Sequence, residues 1–206
     1  MGYRAVIFDL GGVVVGSPLH AIARFERDHA LPAGAINQVV ISSGPTGAWS
    51  RLERGELTLE DFYPTFETDC AAAGHRLSAS ALMTAVAQAT APRPDMLEAI
   101  RRIRARGLVA AALTNNWITE DERAGALRPH FDVYVESAVV GLRKPDRRIF
   151  ELACQELAIA PPEAVFLDDI GTNLKAAREL GMTTIKVIEP AAALAELAAV
   201  LGFALA

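Results

Sequence analysis

A strand-like apolar run, Tyr3-Arg4-Ala5-Val6-Ile7-Phe8, delivers Asp9 into the turn Leu10-Gly11-Gly12-Val13. A carboxylate presented at the end of such a run is a candidate nucleophile toward phosphorus or carbon. A second acidic pair, Asp168-Asp169, follows another apolar run, Val165-Phe166-Leu167. Paired carboxylates supply hard oxygen ligands and suit Mg²⁺ rather than a soft metal, and the ion would relieve their mutual repulsion. Thr114 and Asn115, after Ala112-Leu113, can donate hydrogen bonds to phosphate oxygens. Lys144, in Gly141-Leu142-Arg143-Lys144-Pro145-Asp146, can neutralise both a nucleophile and a transferring group, with Pro145 read as the first residue of the next helix. Together these residues describe a phosphoryl-transfer site.

The elements that must position them alternate. After a first strand over residues 4–10, helical periodicity is expected at 18–30, 32–41, 46–53, 58–72 and 78–89. From residue 95 helices and strands take turns. Helices are expected at 95–106, around 119–127, and at 146–158, 172–180 and 190–201; strands at 108–113, 132–136, 164–168 and 183–188. This rhythm predicts an α/β fold with a Rossmann-like, mostly parallel sheet, covered by helices on both faces because right-handed crossovers demand it. Residues 1–16 and 92–206 would form that core, and 17–91 an all-helical cap inserted after the first strand. In open sheets of this type ligands collect beyond the carboxyl ends of the strands, where Asp9, Thr114-Asn115 and Asp168-Asp169 all fall.

Bulk properties exclude several classes. The net charge of −5 argues against broad attraction to nucleic acid, and the run Arg101-Arg102-Ile103-Arg104 suits a solvated helix face. His20, His29, His75 and His130 are scattered without zinc-site spacing. Cys70 and Cys154 form no ligand pair and read as buried thiols. No apolar stretch is long enough to span a membrane, and no secretion signal opens the chain, so a cytoplasmic protein is expected. Leu194, Leu197 and Leu201 are read as docking the last helix, with a monomer or weak homodimer as the expected state.

The four segments Asp9-Leu10-Gly11-Gly12-Val13, Thr114-Asn115-Asn116, Arg143-Lys144-Pro145-Asp146 and Leu167-Asp168-Asp169-Ile170-Gly171-Thr172-Asn173 together resemble the haloacid dehalogenase-like hydrolase superfamily. Thr114-Asn115-Asn116 and Leu52-Glu53-Arg54-Gly55-Glu56-Leu57-Thr58 are most similar to the phosphatase domain at the N-terminus of soluble epoxide hydrolases. The resemblance implies a Mg²⁺-dependent phosphomonoesterase acting on a small phosphorylated metabolite through an aspartyl-phosphate on Asp9. It makes Asp9, the Gly11 carbonyl and Asp169 the metal ligands, with Asp168 acting directly or through water. Thr114, Asn115 and Lys144 would hold the phosphate.

Gly11 departs from that pattern. Relatives usually place an aspartate there to protonate the leaving oxygen and activate water, help worth about 10² to 10⁴ in rate. Slow turnover, or a substrate with a good leaving group, is the expected consequence. A noncatalytic or weakly active phosphate-binding protein and a 2-haloacid dehalogenase stay open as alternatives. Trp49, Arg51, Asn116, Trp117 and Arg143 are candidate substrate contacts, with packing or surface ion pairing as their other reading. Asn173 is read as a structural tie for the Asp168-Asp169 loop.

Overall fold

Strand β1 (Ala5–Phe8) has all four residues fully buried, as expected for the central strand of a parallel sheet covered on both faces. The computed structural model describes residues 2–119 and 125–205. Among these, β2 (Val109–Thr114), β3 (Val133–Glu136), β4 (Ala164–Asp168) and β5 (Thr183–Lys186) complete a sheet of order β3-β2-β1-β4-β5. Every pairing is parallel. Phe8 pairs with Ala112 on one side and Leu167 on the other, so β1, β2 and β4 finish level with one another. The order reverses beside β1, which opens a crevice at those ends.

Alternation along the strands sends side chains into two cores. Val6, Phe8, Ala110, Ala112, Val165 and Leu167 pack beneath the helices that carry Met96, Ile100 and Leu197. Ala5, Ile7, Ala111, Leu113 and Phe166 pack on the opposite face against Phe150, Ala153 and Ala177.

Between β1 and β2 the chain builds a separate helical unit, α1 (Pro18–Asp28), α2 (Ala35–Ser43), α3 (Ala48–Glu53), α4 (Leu59–Ala72) and α5 (Ala79–Ala89), before α6 (Pro94–Ala105) returns to the sheet. The cap has its own apolar centre, in which Trp49 packs on Phe62 and Phe66, with Leu82 and Met83 nearby. Each start has a local cause. Pro18 sets the first turn of α1, and the Thr58 hydroxyl accepts the Asp61 amide at 3.1 Å to open α4. Helix α2 begins three residues later than expected, because the Glu26 carboxylate takes the amides of Gly34 and Ile36 and caps it there. The cap's entry and exit run side by side. Gly16 donates to the Ala91 carbonyl at 3.0 Å, and a Cβ at Gly16 would stand 2.1 Å from the Ala89 carbonyl oxygen.

The remaining helices are α7 (Ser137–Val140), α8 (Arg147–Glu156), α9 (Gly171–Glu179) and α10 (Pro190–Leu201). The single turn of α7 is too short to leave a periodic signal. Pro145 does not start α8 as expected: Asp146 caps the helix through the Arg148 amide, and Arg147 is its first residue. The first strand stops at Phe8, because Leu10 O gathers the amides of Val13, Val14 and Val15 into a tight loop. Of the helix expected around 119–127, residues 120–124 lie outside the described part. Leu194 and Leu197 dock α10 on the sheet, with Leu201 packed alongside. Among the described residues no helix is long and apolar enough to cross a membrane.

Cys70 and Cys154 are free and buried on α4 and α8. Burial pushes the Cys70 thiol up to about 12 and the Cys154 thiol to about 11. Native protein at mildly alkaline pH should give almost no reaction with a disulfide reagent, and both thiols should react in denaturant. Rapid labelling of either without unfolding would contradict this packing.

Candidate active site

Lys144 is 1% exposed, and its ammonium contacts two carboxylates, Asp9 Oδ1 and Asp168 Oδ2, each at 2.8 Å. Asp9 follows β1 directly and Asp168 ends β4, so the parallel pairing of those strands sets the carboxylates side by side. The Leu10 amide donates back to Asp9 Oδ1 at 2.7 Å. Asp168 is wholly buried and held on both oxygens. The Ile170 amide reaches Oδ1 at 2.7 Å, and Asn173 Nδ2 spans both oxygens at 3.2 and 3.0 Å. Asn173 is thus a structural tie, in keeping with its sequence reading.

The loop after β2 supports the same lysine. Asn115 Oδ1 accepts the Lys144 amide at 2.8 Å, and its Nδ2 donates to the Lys144 carbonyl at 3.0 Å. Expected as a phosphate donor, the Asn115 side chain instead clamps the backbone that presents the ammonium. The hydroxyl of Thr114, the buried last residue of β2, makes a long 3.4 Å contact with the Asn115 carbonyl. Asn116 also serves the loop: its Nδ2 donates to Glu136 at 2.8 Å, and its amide donates to the fully buried Ser137 hydroxyl at 2.9 Å.

Asp9, Asp168 and Asp169 each bring an oxygen within 4.8 Å of the others. Burial pushes Asp9 up to about 7, the two neighbouring carboxylates adding to the effect and Lys144 opposing it. Burial and Asp168 push Asp169 to about 6. Burial works to lower Lys144, but Asp9 and Asp168 outweigh it and hold the ammonium above its ordinary range. Gly12, at φ +78°, makes the cluster possible, since a Cβ there would stand 2.1 Å from Asp169 Oδ2. Close-set hard oxygens whose charged forms are disfavoured fit a small divalent cation, which would lower both raised values.

Glu53, which the sequence reading quoted within a resembling segment but gave no site role, joins cap to core. Its Oε1 accepts the Trp49 indole at 3.1 Å, and its Oε2 accepts Arg143 Nε at 2.6 Å and Asn115 Nδ2 at 3.5 Å. Arg143 also reaches the Ser50 hydroxyl at 3.0 Å. Burial holds the Glu53 carboxyl above its ordinary range, against the pull of Arg143. Trp117, on the loop after β2, stacks edge-on against Trp49 with ring centres 6.4 Å apart. Trp49, Asn116, Trp117 and Arg143 therefore build the seam around Asn115 and Lys144, whereas Arg51 pairs with Glu56 at 3.7 Å on a half-exposed face. The available signal for Glu53 was a carboxylate four residues after Trp49 on the apolar side of α3.

A model of the haloacid dehalogenase-like hydrolase family matches residues 3–181. The chain belongs to this family. It is 45% identical over 208 residues to mouse acyl-CoA dehydrogenase family member 10, a match covering 98% of this chain and 20% of the relative. It is 37% identical over 218 residues to pig bifunctional epoxide hydrolase 2, covering 98% of this chain and 39% of that protein. The chain thus spans about a fifth and two fifths of these relatives' lengths. The fold resembles that of a family enzyme from Bacteroides thetaiotaomicron solved with magnesium and inorganic phosphate, with a TM-score of 0.64 and 20% identity over 90% of this chain and 94% of that one. It also resembles L-2-haloacid dehalogenase from Xanthobacter autotrophicus, with a TM-score of 0.61 and 20% identity over 96% of this chain and 82% of that one.

The raised carboxylates carry a sign. Asp9 keeps its proton to about pH 7 when folded but loses it near 3.8 when unfolded, so its contribution to stability declines as pH rises through that window and is level above it. In chelator, the melting temperature of the wild type relative to Asp9→Asn should fall between about pH 5 and 7.5, and millimolar Mg²⁺ should restore the wild type mainly at the upper end. A pH-independent difference would remove the buried cluster. Separately, Glu53→Ala strips the acceptor from Arg143 and Trp49 and should cost about 1–3 kcal/mol in urea unfolding.

Proposed function

We propose that this chain is a Mg²⁺-dependent phosphatase of small phosphorylated metabolites, acting through an aspartyl-phosphate on Asp9. The observation that supports it best is the single buried ammonium shared by Asp9 and Asp168 beside Asp169. Asp9, the Gly11 carbonyl and Asp169 would hold the ion. Bound there, it would supply positive charge to the phosphate oxygens and to the three carboxylates. Asp168, engaged on both oxygens, positions Lys144 and contributes charge.

Asp9 Oδ1 is held by the Leu10 amide and Lys144, which orients the carboxylate and supports attack through Oδ2. A bond forms from Oδ2 to phosphorus while the bond from phosphorus to the ester oxygen breaks and its electron pair leaves with that oxygen. Lys144 and the Thr114 hydroxyl meet the charge on the phosphoryl oxygens. Water then attacks phosphorus, inorganic phosphate departs, and Asp9 is regenerated. The cap covers this site, and the seam residues Trp49, Trp117 and Arg143 are the candidates for contact with the rest of the substrate. Two free buried thiols suit a reducing compartment, which supports a cytoplasmic setting, and α10 docked on its own sheet supports a monomer or weak homodimer.

Phosphate release from a panel of phosphomonoesters should require Mg²⁺ and fall about 10⁴-fold or more in Asp9→Asn. Chloride release from 2-chloropropionate without metal, in place of phosphate release, would overturn the phosphatase reading in favour of a dehalogenase. Phosphate binding without turnover would overturn it in favour of a binding protein.

A further inference from the structure

Gly11 lies tight against the start of the cap. A Cβ at this position would lie 3.1 Å from both Cδ and Cγ of Pro18, a tight contact that the ring would have to ease by a few tenths of an ångström. Pro18 starts α1, and the preceding Ser17 is buried, its carbonyl accepting the amides of His20 and Ala21. The ring is therefore held close against the position where a side chain at residue 11 would begin.

Among the described residues, the other acids near the phosphate site are engaged. Asp9 is the nucleophile, Asp169 lies against Gly12 within the carboxylate cluster that would hold the ion, and Asp168 is gripped by Lys144, Asn173 and the Ile170 amide. Glu53 is occupied by Arg143 and Trp49. On the adjoining turn of α1 the alternative is His20, exposed, with its charge felt at Asp169.

We propose that the site is specialised for phosphates whose leaving oxygen departs as an unprotonated anion, acyl phosphates first and aryl or enol phosphates next, and that it discriminates against simple alkyl phosphates. This rests on the phosphatase reading above. Phosphoryl transfer passes through a loose transition state in which charge builds on the leaving oxygen. A carboxylate leaving group has a conjugate acid near pKa ~4 and a phenolate near ~10. An alkoxide approaches water's ~16 and needs a proton donor most.

In the first step the phosphorus–oxygen bond breaks, the leaving group takes the electron pair, and Asp9 gains the phosphoryl group. The leaving anion collects any proton later from solvent. In the second step water adds to phosphorus, gives a proton to solvent, and expels the Asp9 carboxylate. That second step is itself the hydrolysis of an acyl phosphate, so the site must already release a carboxylate without protonating it.

The test is kcat/KM, with Mg²⁺, across ring-substituted phenyl phosphates of matched shape, extended to acetyl phosphate and an alkyl phosphate, with the Asp9→Asn rate subtracted. Phenyl phosphate should react about 10²-fold or more slowly than 4-nitrophenyl phosphate, in line with the general-acid help that is missing. The slope should be the same in His20→Gln. A series level within about tenfold, or a slope that steepens in His20→Gln, reveals a proton donor and overturns the proposal while leaving the phosphatase reading intact. No Asp9-dependent phosphate release from any member defeats the phosphatase reading, and this inference with it.

Discussion

One buried ammonium organises this molecule. Lys144 comes from a loop, yet its charge sits between carboxylates at the ends of two neighbouring strands, out of reach of bulk water. A lysine in such a place is stable only if its charge is answered, and the two carboxylates are tolerable only because the lysine is there. The Asn115 amide fixes the lysine's backbone, while Asn173 and the Ile170 amide fix Asp168. Removing one of the three charges would leave its partners under-compensated in the core, and removing one of the amides would loosen the group it orients, so fold and chemistry share one network.

Around that network the molecule divides its labour. The parallel sheet sets the carboxyl ends of β1, β2 and β4 level, a placement dictated by backbone pairing and indifferent to the substrate. The cap keeps a separate aromatic centre and touches the chemistry through Glu53 and the pairing of Trp49 with Trp117.

Much of this was legible in the residues. The unbroken apolar run of β1 announces a strand covered on both faces, and strand and helix periods after residue 95 announce the crossovers. Asp9, Lys144 and the Asp168-Asp169 pair stand out as charges placed where strands end. Glu53 and Arg143 did not reveal their partnership, because they are 90 residues apart and each alone looks like a surface charge. Asn115 was legible as a site residue but not as a clamp, since a side-chain amide serves a phosphate or a backbone equally well. Nothing in the residue order marks Pro18 as the neighbour of Gly11. That contact arises from the way the loop between them turns back on itself.

The Pro18 contact also couples two segments of the chain. An aspartate placed at position 11 would press its Cβ against the ring that starts α1, and that ring would have to give by a few tenths of an ångström. Any acid set into the turn after β1 therefore involves the first turn of the lid as well.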